Sequence, residues 1–580
     1  MRVWFGWTIA GLLTAGAAMA QTKADPEGES GFAPKPVVAA ERHMVAAAHP
    51  LAAEAGLAML RAGGSAADAA IATLLALTVV EPQSSGLGGG AFALVHGPDG
   101  LTSWDARETA PAAAMPELFL EGGEPLPFLE AVASGRSVGV PGLMRLIEAL
   151  YTRHGKLPWG RLLAPAIQLA ERGFSVSPRL AASVARSAGR LAASDAAAVF
   201  LPGGRPLAEG ESFRQPALAE TLRTLAAEGP GAFYEGAIAE AIIAAVGREP
   251  RPGALSLDDL AAYQAVEREP VCLDFRDRWR VCGMGPPSSG ATTVGQILGL
   301  MERFDLAGLT VESPRLWHLF AESSRLAYAD RARFLADPDQ VSVPVKGLLF
   351  RDYLAERARL ISLVQAAEGK AEAGDPPWRE GRQMAPDAGL TSAGTTHLSV
   401  IDESGLALSI TASIETAFGS GRMAAGFLLN NQLTDFSFRP TGADGTPIAN
   451  APAPGKRPRS SMAPSIVYWT ARPSQPHLLV GSPGGSRIPE YVAQSLLGLT
   501  VLRLDPAEAA ALPHISQRNR GGVVLEEGRG LGEMREGLQA LGHDVSEAPM
   551  TSGLHIIRIG LDGELEGGAD PRREGVALGD

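Results

Sequence analysis

The chain changes character at Thr395, where a polar segment without periodicity meets a segment of alternating residues. Residues 369–394 are crowded with Gly, Pro, Glu, Asp and Ala, which is typical of an exposed linker. After it, Thr396, Leu398 and Val400 alternate with polar residues, which predicts a strand. The fold must therefore place the beginning of a strand directly after an exposed connection.

This junction also predicts a specific chemistry. If the chain were cut between Gly394 and Thr395, Thr395 would carry both a β-hydroxyl and a free α-amino group. A threonine hydroxyl is a weak nucleophile near neutral pH, and an amine on the same residue can act as its base. The junction is thus a candidate N-terminal nucleophile, although the tripeptide Thr-Thr-His is equally compatible with an ordinary strand.

The next strand gives a testable register. Leu398 and Val400 form one apolar face, and Leu406, Leu408 and Ile410 form the other. These faces coincide only if paired residue numbers sum to an even value, which requires an odd loop around residues 402–405. Thr395 then lies opposite Thr411 or Ser413, on the same face as Glu415. A polar outer face of the sheet would have the same pattern.

Bulk properties limit the classes of function. A net charge of −13 and the lack of a long basic run argue against nucleic-acid binding. Residues 1–20 predict an export signal, with an apolar run through Leu13 and small residues ending at Ala20. A membrane anchor is the alternative, but the apolar run is short. We therefore expect a periplasmic or secreted protein that has no membrane segment once the signal is removed.

Along the chain, the first half is rich in helices and the second half in strands. Ser65 and Asp68 resemble a capping box for an apolar helix over residues 66–80. After Thr395, strands are predicted near 396–401, 406–414, 426–430, 465–468 and 477–480, with helices near 489–504 and 532–541. This order predicts an α+β layered body in which helices cover sheets.

The two cysteines, Cys272 and Cys282, lie in two predicted short strands with a turn near Asp277. A cross-strand disulfide and two free thiols are both compatible with that spacing. No His or Cys stands at zinc-ligand spacing beside them, so no metal site is predicted.

Three polar clusters in the second half are candidates for ligand recognition. Gln432 and Asp435 follow an apolar strand and suit a ligand amine, Ser460 and Ser461 suit a carboxylate, and Gly484-Gly485 can present backbone N–H groups to an oxyanion. Each cluster is also compatible with an ordinary turn or loop.

Two features of the first half complete the candidates. Arg107 follows a predicted strand and can bind a carboxylate, although a surface ion pair is the commoner role for such an arginine. The glycine-rich segments 84–90 and 285–290 lack the residues of a nucleotide loop, so close backbone packing is expected for the first, and NTP binding is rejected.

In this order, the motifs closely resemble the γ-glutamyltransferase family of N-terminal nucleophile hydrolases, over about residues 38–577. The matching segments include Gly63–Ala69, Gly88–Gly90, Arg107-Glu108, Pro287–Gly290, Thr395–His397, Leu429–Asn431, Arg457-Pro458, Ser460–Met462, Gly481–Gly485 and Ala569–Arg572. The resemblance implies a four-layer αββα sandwich formed jointly by two chains from one precursor. These would be a large subunit, residues 21–394, and a small subunit, residues 395–580.

The resemblance also implies a role for each candidate. Thr395 would be the nucleophile, Ser413 its supporting hydroxyl, and Gly484 with Gly485 the oxyanion hole. The substrate α-carboxylate would bind to Arg107, Ser460 and Ser461. The substrate α-amino group would bind to Glu415, Gln432 and Asp435. The donor would be glutathione or another γ-glutamyl compound. The acceptor would be water, an amino acid or a peptide. No cofactor is implied.

Two alternatives remain compatible with the sequence. One is an acylase of the same fold that acts on glutaryl or cephalosporin side chains, which lack the α-amino group. The other is a periplasmic protein that binds γ-glutamyl compounds without ever being cut.

Overall fold

The computed structural model describes residues 30–381, 383–387 and 394–580. The predicted export signal and residues 388–393 of the predicted linker lie outside the described residues. No helix within the described part is long and apolar enough to cross a membrane.

Two large antiparallel sheets form the centre of the described part of the chain. The first, here called the nucleophile sheet, contains the strand that begins at Thr395. In spatial order its seven strands are Val576–Gly579, Met44–Ala47, Thr395–Ile401, Ala407–Ser413, Gly90–Gly97, Gly100–Ala106 and Val266–Arg268. It therefore combines strands from before and after Thr395.

The second sheet, here called the opposing sheet, has the same mixed origin within the described residues. Its seven strands are, in spatial order, Val38–Ala40, Leu565–Ala569, His555–Ile559, Arg472–Val480, Ser465–Trp469, Trp279–Gly283 and Val271–Phe275. Smaller sheets contain Leu120–Glu121 with Glu124–Pro125, Phe174–Ser175 with Ser212–Phe213, Met423–Ala424 with Phe427–Leu428, and Ile515–Ser516 with Val523–Glu526 and Val545–Ala548.

Helices cover the outer face of each sheet. Those of the first part are Pro50–Arg61, Ala66–Val80, Phe128–Ala133, Leu143–His154, Trp159–Arg172, Pro178–Ala192, Ala197–Phe200, Pro216–Glu228, Gly236–Val246 and Leu257–Ala262. The others are Gly290–Met301, Pro314–Phe334, Val345–Leu348, Arg351–Ala358, Ile488–Thr500, Pro506–Ala511 and Gly532–Ala540. The predicted capping box of Ser65 and Asp68 is present at the start of Ala66–Val80, and every residue of that helix is buried.

Three apolar layers hold this arrangement together. One joins the helices Pro50–Arg61 and Ala66–Val80 to the outer face of the nucleophile sheet, through residues such as Leu398 and Ile410. A second joins Gly290–Met301 and Ile488–Thr500 to the opposing sheet. The third lies between the sheets and contains Met44, Leu94, Ile466 and Ile557. The fold is thus an α+β sandwich of helix, sheet, sheet and helix, as predicted.

The first hairpin after Thr395 has the predicted parity. Thr395 pairs with Ser413 and Leu398 with Ile410, so opposed numbers sum to an even value. The strands are separated by residues 402–406, a loop of odd length in which Gly405 has a φ of 84°. The polar face is not an outer surface, because Ser399 and Ser409 donate to carbonyls of His555 and Val480 in the opposing sheet.

Other boundaries differ from the predictions by a few residues. The predicted strand 426–430 is a short hairpin, Met423–Ala424 with Phe427–Leu428, and Asn430 lies in the following loop. The loop is favoured because the Asn430 amide bridges two other segments: its nitrogen donates to Gly88 and Gly139 carbonyls, and its oxygen accepts from the Gly139 N–H.

Candidate active site

Thr395 stands at the beginning of its strand with its side chain buried. Its hydroxyl donates to the Ser413 hydroxyl across the strand pair, at 3.3 Å. Ser413 in turn donates to the Gly394 carbonyl at 2.7 Å and accepts from the Glu415 N–H at 2.9 Å. One serine hydroxyl thus contacts the predicted nucleophile and the carbonyl on the other side of the predicted cut.

Gly394 is enclosed by the segment that follows the second strand. A Cβ atom on Gly394 would lie 2.3 Å from the Glu415 carbonyl oxygen and 2.7 Å from the Thr416 carbonyl carbon. Both are backbone atoms, so the residue before Thr395 has to be glycine in this conformation.

Glu415 is held in a strained conformation at the end of that strand. Its φ is 78°, in the left-handed region that side chains other than those of Gly, Asn and Asp seldom adopt. The next residue is fixed by Asn431, whose side chain accepts from the Thr416 N–H at 2.9 Å and donates to the Thr416 hydroxyl at 2.8 Å. The Asn431 amide therefore supports the chain at the point where the Glu415 carboxylate turns into the pocket.

Gln432 and Asp435 lie on one short 3₁₀ turn and are joined to Arg107. The Asp435 carboxylate accepts from Arg107 at 2.5 Å and from the Gln432 amide nitrogen at 2.9 Å. Arg107 is buried and also donates to the carbonyls of Pro458 and Arg459. The Gln432 amide oxygen is buried and accepts no hydrogen bond from the described residues, so it is placed to accept from a ligand.

Ser460 and Ser461 lie on a loop that the helix Pro314–Phe334 supports. Arg331 donates to the Ser461 hydroxyl at 2.6 Å and to Ser289 at 2.8 Å, and Ser289 donates to the Ser460 carbonyl at 2.7 Å. Burial, followed by the charge of Arg459, lowers the pKa of Arg331 to about 9. The Ser460 hydroxyl accepts from the Met462 N–H at 3.1 Å, so both hydroxyls can still donate their own protons to an anion.

Gly484 and Gly485 form a tight turn before the helix Ile488–Thr500. Their φ angles are 138° and 58°, and a Cβ on Gly484 would lie 2.4 Å from the Tyr491 ring. Glycine is therefore required by both backbone conformation and space at Gly484. Gly485 lines the pocket, and successive glycines at such a turn can present backbone N–H groups to an anion.

The structure brings the sequence candidates together. One pocket is lined by Thr395, Ser413, Glu415, Gln432, Asp435, Arg107, Ser460, Ser461 and Gly485, and Gly484 directly precedes the last of these. Met462, Ser486 and Ile488 also line it and were not singled out from the sequence. Cys272 and Cys282 lie elsewhere, paired in an edge hairpin of the opposing sheet and joined by a disulfide.

The sequence reasoning assigned no role to two further groups. Arg331 carries no local signal because it lies on a helix remote in sequence from the loop that it supports. Glu108 follows Arg107 and is fully buried, and neither of its carboxylate oxygens has a hydrogen-bond partner among the described residues. Burial raises the pKa of Glu108 to about 8, while the Arg107 charge opposes that shift and the Asp435 charge adds to it.

The glycine-rich segments of the first half serve packing. A Cβ on Gly88 would lie 2.3 Å from the Leu428 carbonyl oxygen, and one on Gly89 would lie 2.2 Å from that of Ser413. The segment 285–290 contacts the serine loop, since a Cβ on Gly290 would lie 2.5 Å from the Met462 carbonyl oxygen. Within residues 30–381, 383–387 and 394–580, no group of three acidic, His or Cys side chains is arranged to hold a metal ion.

The helix–sheet–sheet–helix body has the fold of the N-terminal nucleophile hydrolases. Residues 52–580 match the family model described as gamma-glutamyltranspeptidase, and the chain belongs to that family of enzymes. It is 37% identical to the glutathione hydrolase proenzyme of Bacillus subtilis strain 168, over 98% of this chain and 96% of that one. The corresponding Escherichia coli K12 proenzyme is 36% identical, over 92% and 91%.

Acylases are also among the relatives. The acylase ACY 1 proenzyme of Pseudomonas sp. strain SE83 is 36% identical over 93% of each chain. The structure superposes on the cephalosporin acylase of Bacillus halodurans with a TM-score of 0.83 and 29% identity, over 96% of this chain and 99% of that one. The relatives of this chain thus include both glutathione hydrolases and acylases.

Proposed function

We propose that this enzyme transfers the γ-glutamyl group of glutathione and related compounds to water, amino acids or peptides. The observation that carries the proposal is the juxtaposition of Arg107 and Asp435 in the pocket of Thr395. A γ-glutamyl head carries an α-carboxylate and an α-ammonium on one carbon, so it needs a cationic and an anionic partner side by side. Arg107 with the two serine hydroxyls suits the carboxylate, and Asp435, Glu415 and the Gln432 amide oxygen suit the ammonium.

The same arrangement argues against an acylase that takes glutaryl side chains. Such a substrate has no α-ammonium, so Glu415, which is 4% exposed, would have no ligand cation beside it. Burying carboxylates against an uncharged group is unfavourable by several kcal/mol in order of magnitude. Because some relatives are named acylases, acylase activity is the second candidate function.

We propose that the precursor first cuts itself between Gly394 and Thr395. The Thr395 hydroxyl would attack the Gly394 carbonyl carbon, and the peptide bond would be replaced by an ester that water then hydrolyses. Ser413 supports this step because its hydrogen bond to the Gly394 carbonyl lies where negative charge would develop. The products would be residues 21–394 and residues 395–580, which remain together.

Turnover would then use the new α-amino group of Thr395. Its unperturbed pKa of about 7.7–8.0 leaves a substantial neutral fraction near pH 7.5 to accept the hydroxyl proton. The Thr395 oxygen attacks the γ-carbonyl carbon, N–H groups of the Gly484-Gly485 turn bind the oxyanion, and the leaving amine takes the proton. Water or an acceptor amine then attacks the γ-glutamyl ester and frees Thr395.

We also propose that the enzyme is exported and works in the periplasm or outside the cell. The support is the sequence of residues 1–20, with its apolar run and small residues before Gln21. N-terminal sequencing of both fragments from the mature protein would locate this cut and the one before Thr395 together.

The function is tested by comparing γ-glutamyl-p-nitroanilide with glutaryl-p-nitroanilide, which lacks only the α-amino group. We expect kcat/KM to be about 100-fold larger for the γ-glutamyl compound, because the glutaryl compound has no ammonium group to form charged hydrogen bonds with the enzyme. Equal rates, or a preference for the glutaryl compound, would establish the acylase instead. Thr395→Ala should give an uncut and inactive precursor; ordinary two-chain processing in that variant would reject the assigned cut.

A further inference from the structure

A short segment before the proposed cut is bound firmly beside the pocket. It consists of residues 383–387, which we call the tether. The Ala385 N–H donates to the Pro447 carbonyl at 2.9 Å, and the Asp387 N–H donates to the Ala332 carbonyl at 2.8 Å. Ala332 lies on the helix that supports the serine loop. The tether is therefore fixed on one side to that helix and on the other to the loop that contains Pro447.

The Asp387 side chain forms a buried ion pair. Its carboxylate accepts from the Arg459 guanidinium at 2.7 Å, and the side chains are 1% and 3% exposed, respectively. Arg459 also donates to the carbonyls of Arg331 at 3.3 Å and Leu335 at 3.4 Å. Burial lowers the pKa of Arg331 to about 9, the Arg459 charge lowers it further, and the Asp387 charge opposes this lowering. Asp387 thus supplies negative charge where two buried arginines lie close together.

The same Asp387 oxygen joins the two parts of the site that suit the γ-glutamyl head. On the carboxylate side, Arg459 belongs to the serine loop, and its carbonyl accepts from Arg107 at 3.2 Å. On the ammonium side, the Asn450 amide nitrogen donates to Asp387 at 3.0 Å and to the Asp435 carbonyl at 2.7 Å. The Asn450 amide oxygen accepts from the Arg459 N–H at 2.9 Å, which closes the network.

We propose that Asp387 is a positioning residue, which holds the carboxylate-binding and ammonium-binding groups at a fixed separation in the mature enzyme. This inference rests on the proposed γ-glutamyl transfer. Asp387 and Arg459 are not among the residues that line the pocket, so both act through the groups that they hold. Asp387 lies seven positions before Gly394, so the proposed large subunit would keep its end beside the pocket after the cut.

L-Glutamate tests the inference, because it presents both charged groups of the head without a bond to cleave. Its inhibition constant against γ-glutamyl-p-nitroanilide measures binding of the head, and kcat measures the chemistry. We expect Asp387→Asn to raise the inhibition constant of the fully cut enzyme roughly tenfold, as loss of a charged hydrogen bond does. The value of kcat should change little, because the head is held equally in the ground state and the transition state.

A double variant separates positioning from the general effect of an unpaired buried charge. Asp387→Asn with Arg459→Met removes the cation together with its partner, and Met fills the space of the arginine stem. The double variant therefore also supplies the measurement if Asp387→Asn alone does not fold. If Asp387 acts by positioning, the inhibition constant stays raised in the double variant. A return to the wild-type value would mean that only the unpaired Arg459 charge was harmful, and would reject the inference.

Glu322→Gln is the matched control. Glu322 pairs with Arg325 at 2.9 Å, is equally buried, lies on the helix Pro314–Phe334 and does not line the pocket. Its loss should lower the melting temperature and leave the inhibition constant of L-glutamate unchanged. An unchanged constant in fully cut Asp387→Asn, or an equal rise in Glu322→Gln, would overturn the inference. A wild-type enzyme that binds L-glutamate no better than glutarate, which lacks the ammonium, would instead refute the proposed function.

Discussion

The Ser413 hydroxyl donates a 2.7 Å hydrogen bond to the carbonyl oxygen of Gly394. Because the same hydroxyl accepts from Thr395, it couples the attacking group to the bond that is attacked. We expect Ser413→Ala to slow self-cleavage by about 100-fold, as loss of one oxyanion donor does. Ser413→Thr keeps the hydroxyl and should process at close to the wild-type rate.

The measurement is a time course of purified precursor on denaturing electrophoresis. Normal cutting of Ser413→Ala would show that another group polarises the Gly394 carbonyl.

Gly394→Ala tests the close packing before the nucleophile. The new Cβ would lie 2.3 Å from the Glu415 carbonyl oxygen, so the chain must move away from the strand at the point of cutting. We expect slower or absent processing, although Thr395 itself is intact. Gly189→Ala is the control, since that glycine lies in the helix Pro178–Ala192 and a Cβ added to it would meet no atom within 4 Å. Equal processing rates in the two variants would contradict the steric argument.

Asp435→Asn tests how the α-ammonium is recognised. The substitution preserves shape but removes the charge that faces both Arg107 and the ligand. We expect kcat/KM for γ-glutamyl-p-nitroanilide to fall by about 100-fold, in the range found when one partner of a buried charge pair is removed. The preference over the glutaryl analogue should shrink by a similar factor. An unchanged preference would mean that Asp435 acts on Arg107 alone.

Glu108 predicts a dependence of stability on pH. Its pKa is about 8 in the folded protein, above the ordinary value of 4.5, so between these two values the folded state binds more protons than the unfolded state. Stability from this group therefore falls as pH rises from about 4.5 to 8. Glu108→Gln removes that contribution, and its melting temperature relative to wild type should increase steadily from about pH 5 to about pH 8.5.

Glu240→Gln, at an exposed position of the helix Gly236–Val246, controls for the general effect of losing a carboxylate. Parallel pH profiles of wild type and Glu108→Gln would show that the Glu108 side chain does not hold its proton in this interval.

Local pattern was sufficient for those features that depend on neighbouring residues. The parity of the Thr395–Ser413 pairing follows from alternation alone, and the capping box follows from the spacing of Ser65 and Asp68. The clusters around Gln432, Ser460 and Gly484 were visible because each is continuous in sequence.

What the pattern could not supply was contact between remote segments. Arg331 reaches Ser461 across 130 positions of the chain, and Arg518 reaches Ser486 from a separate loop. The hydroxyls on the face of Thr395 and Ser399 are equally typical of a solvent-exposed face, yet the opposing sheet covers this one and supplies the missing hydrogen-bond acceptors. Burial of that face depends on tertiary assembly, which alternation does not encode.

The mixed origin of the strands has a consequence for how such an enzyme can be made. On either side of Thr395–Ile401 lie Met44–Ala47, from before the proposed cut, and Ala407–Ser413, from after it. Neither product, synthesised separately, would possess a complete template for either sheet. If the chain is cut there as proposed, each piece would supply strands to both sheets, and each would need the other to keep both sheets complete.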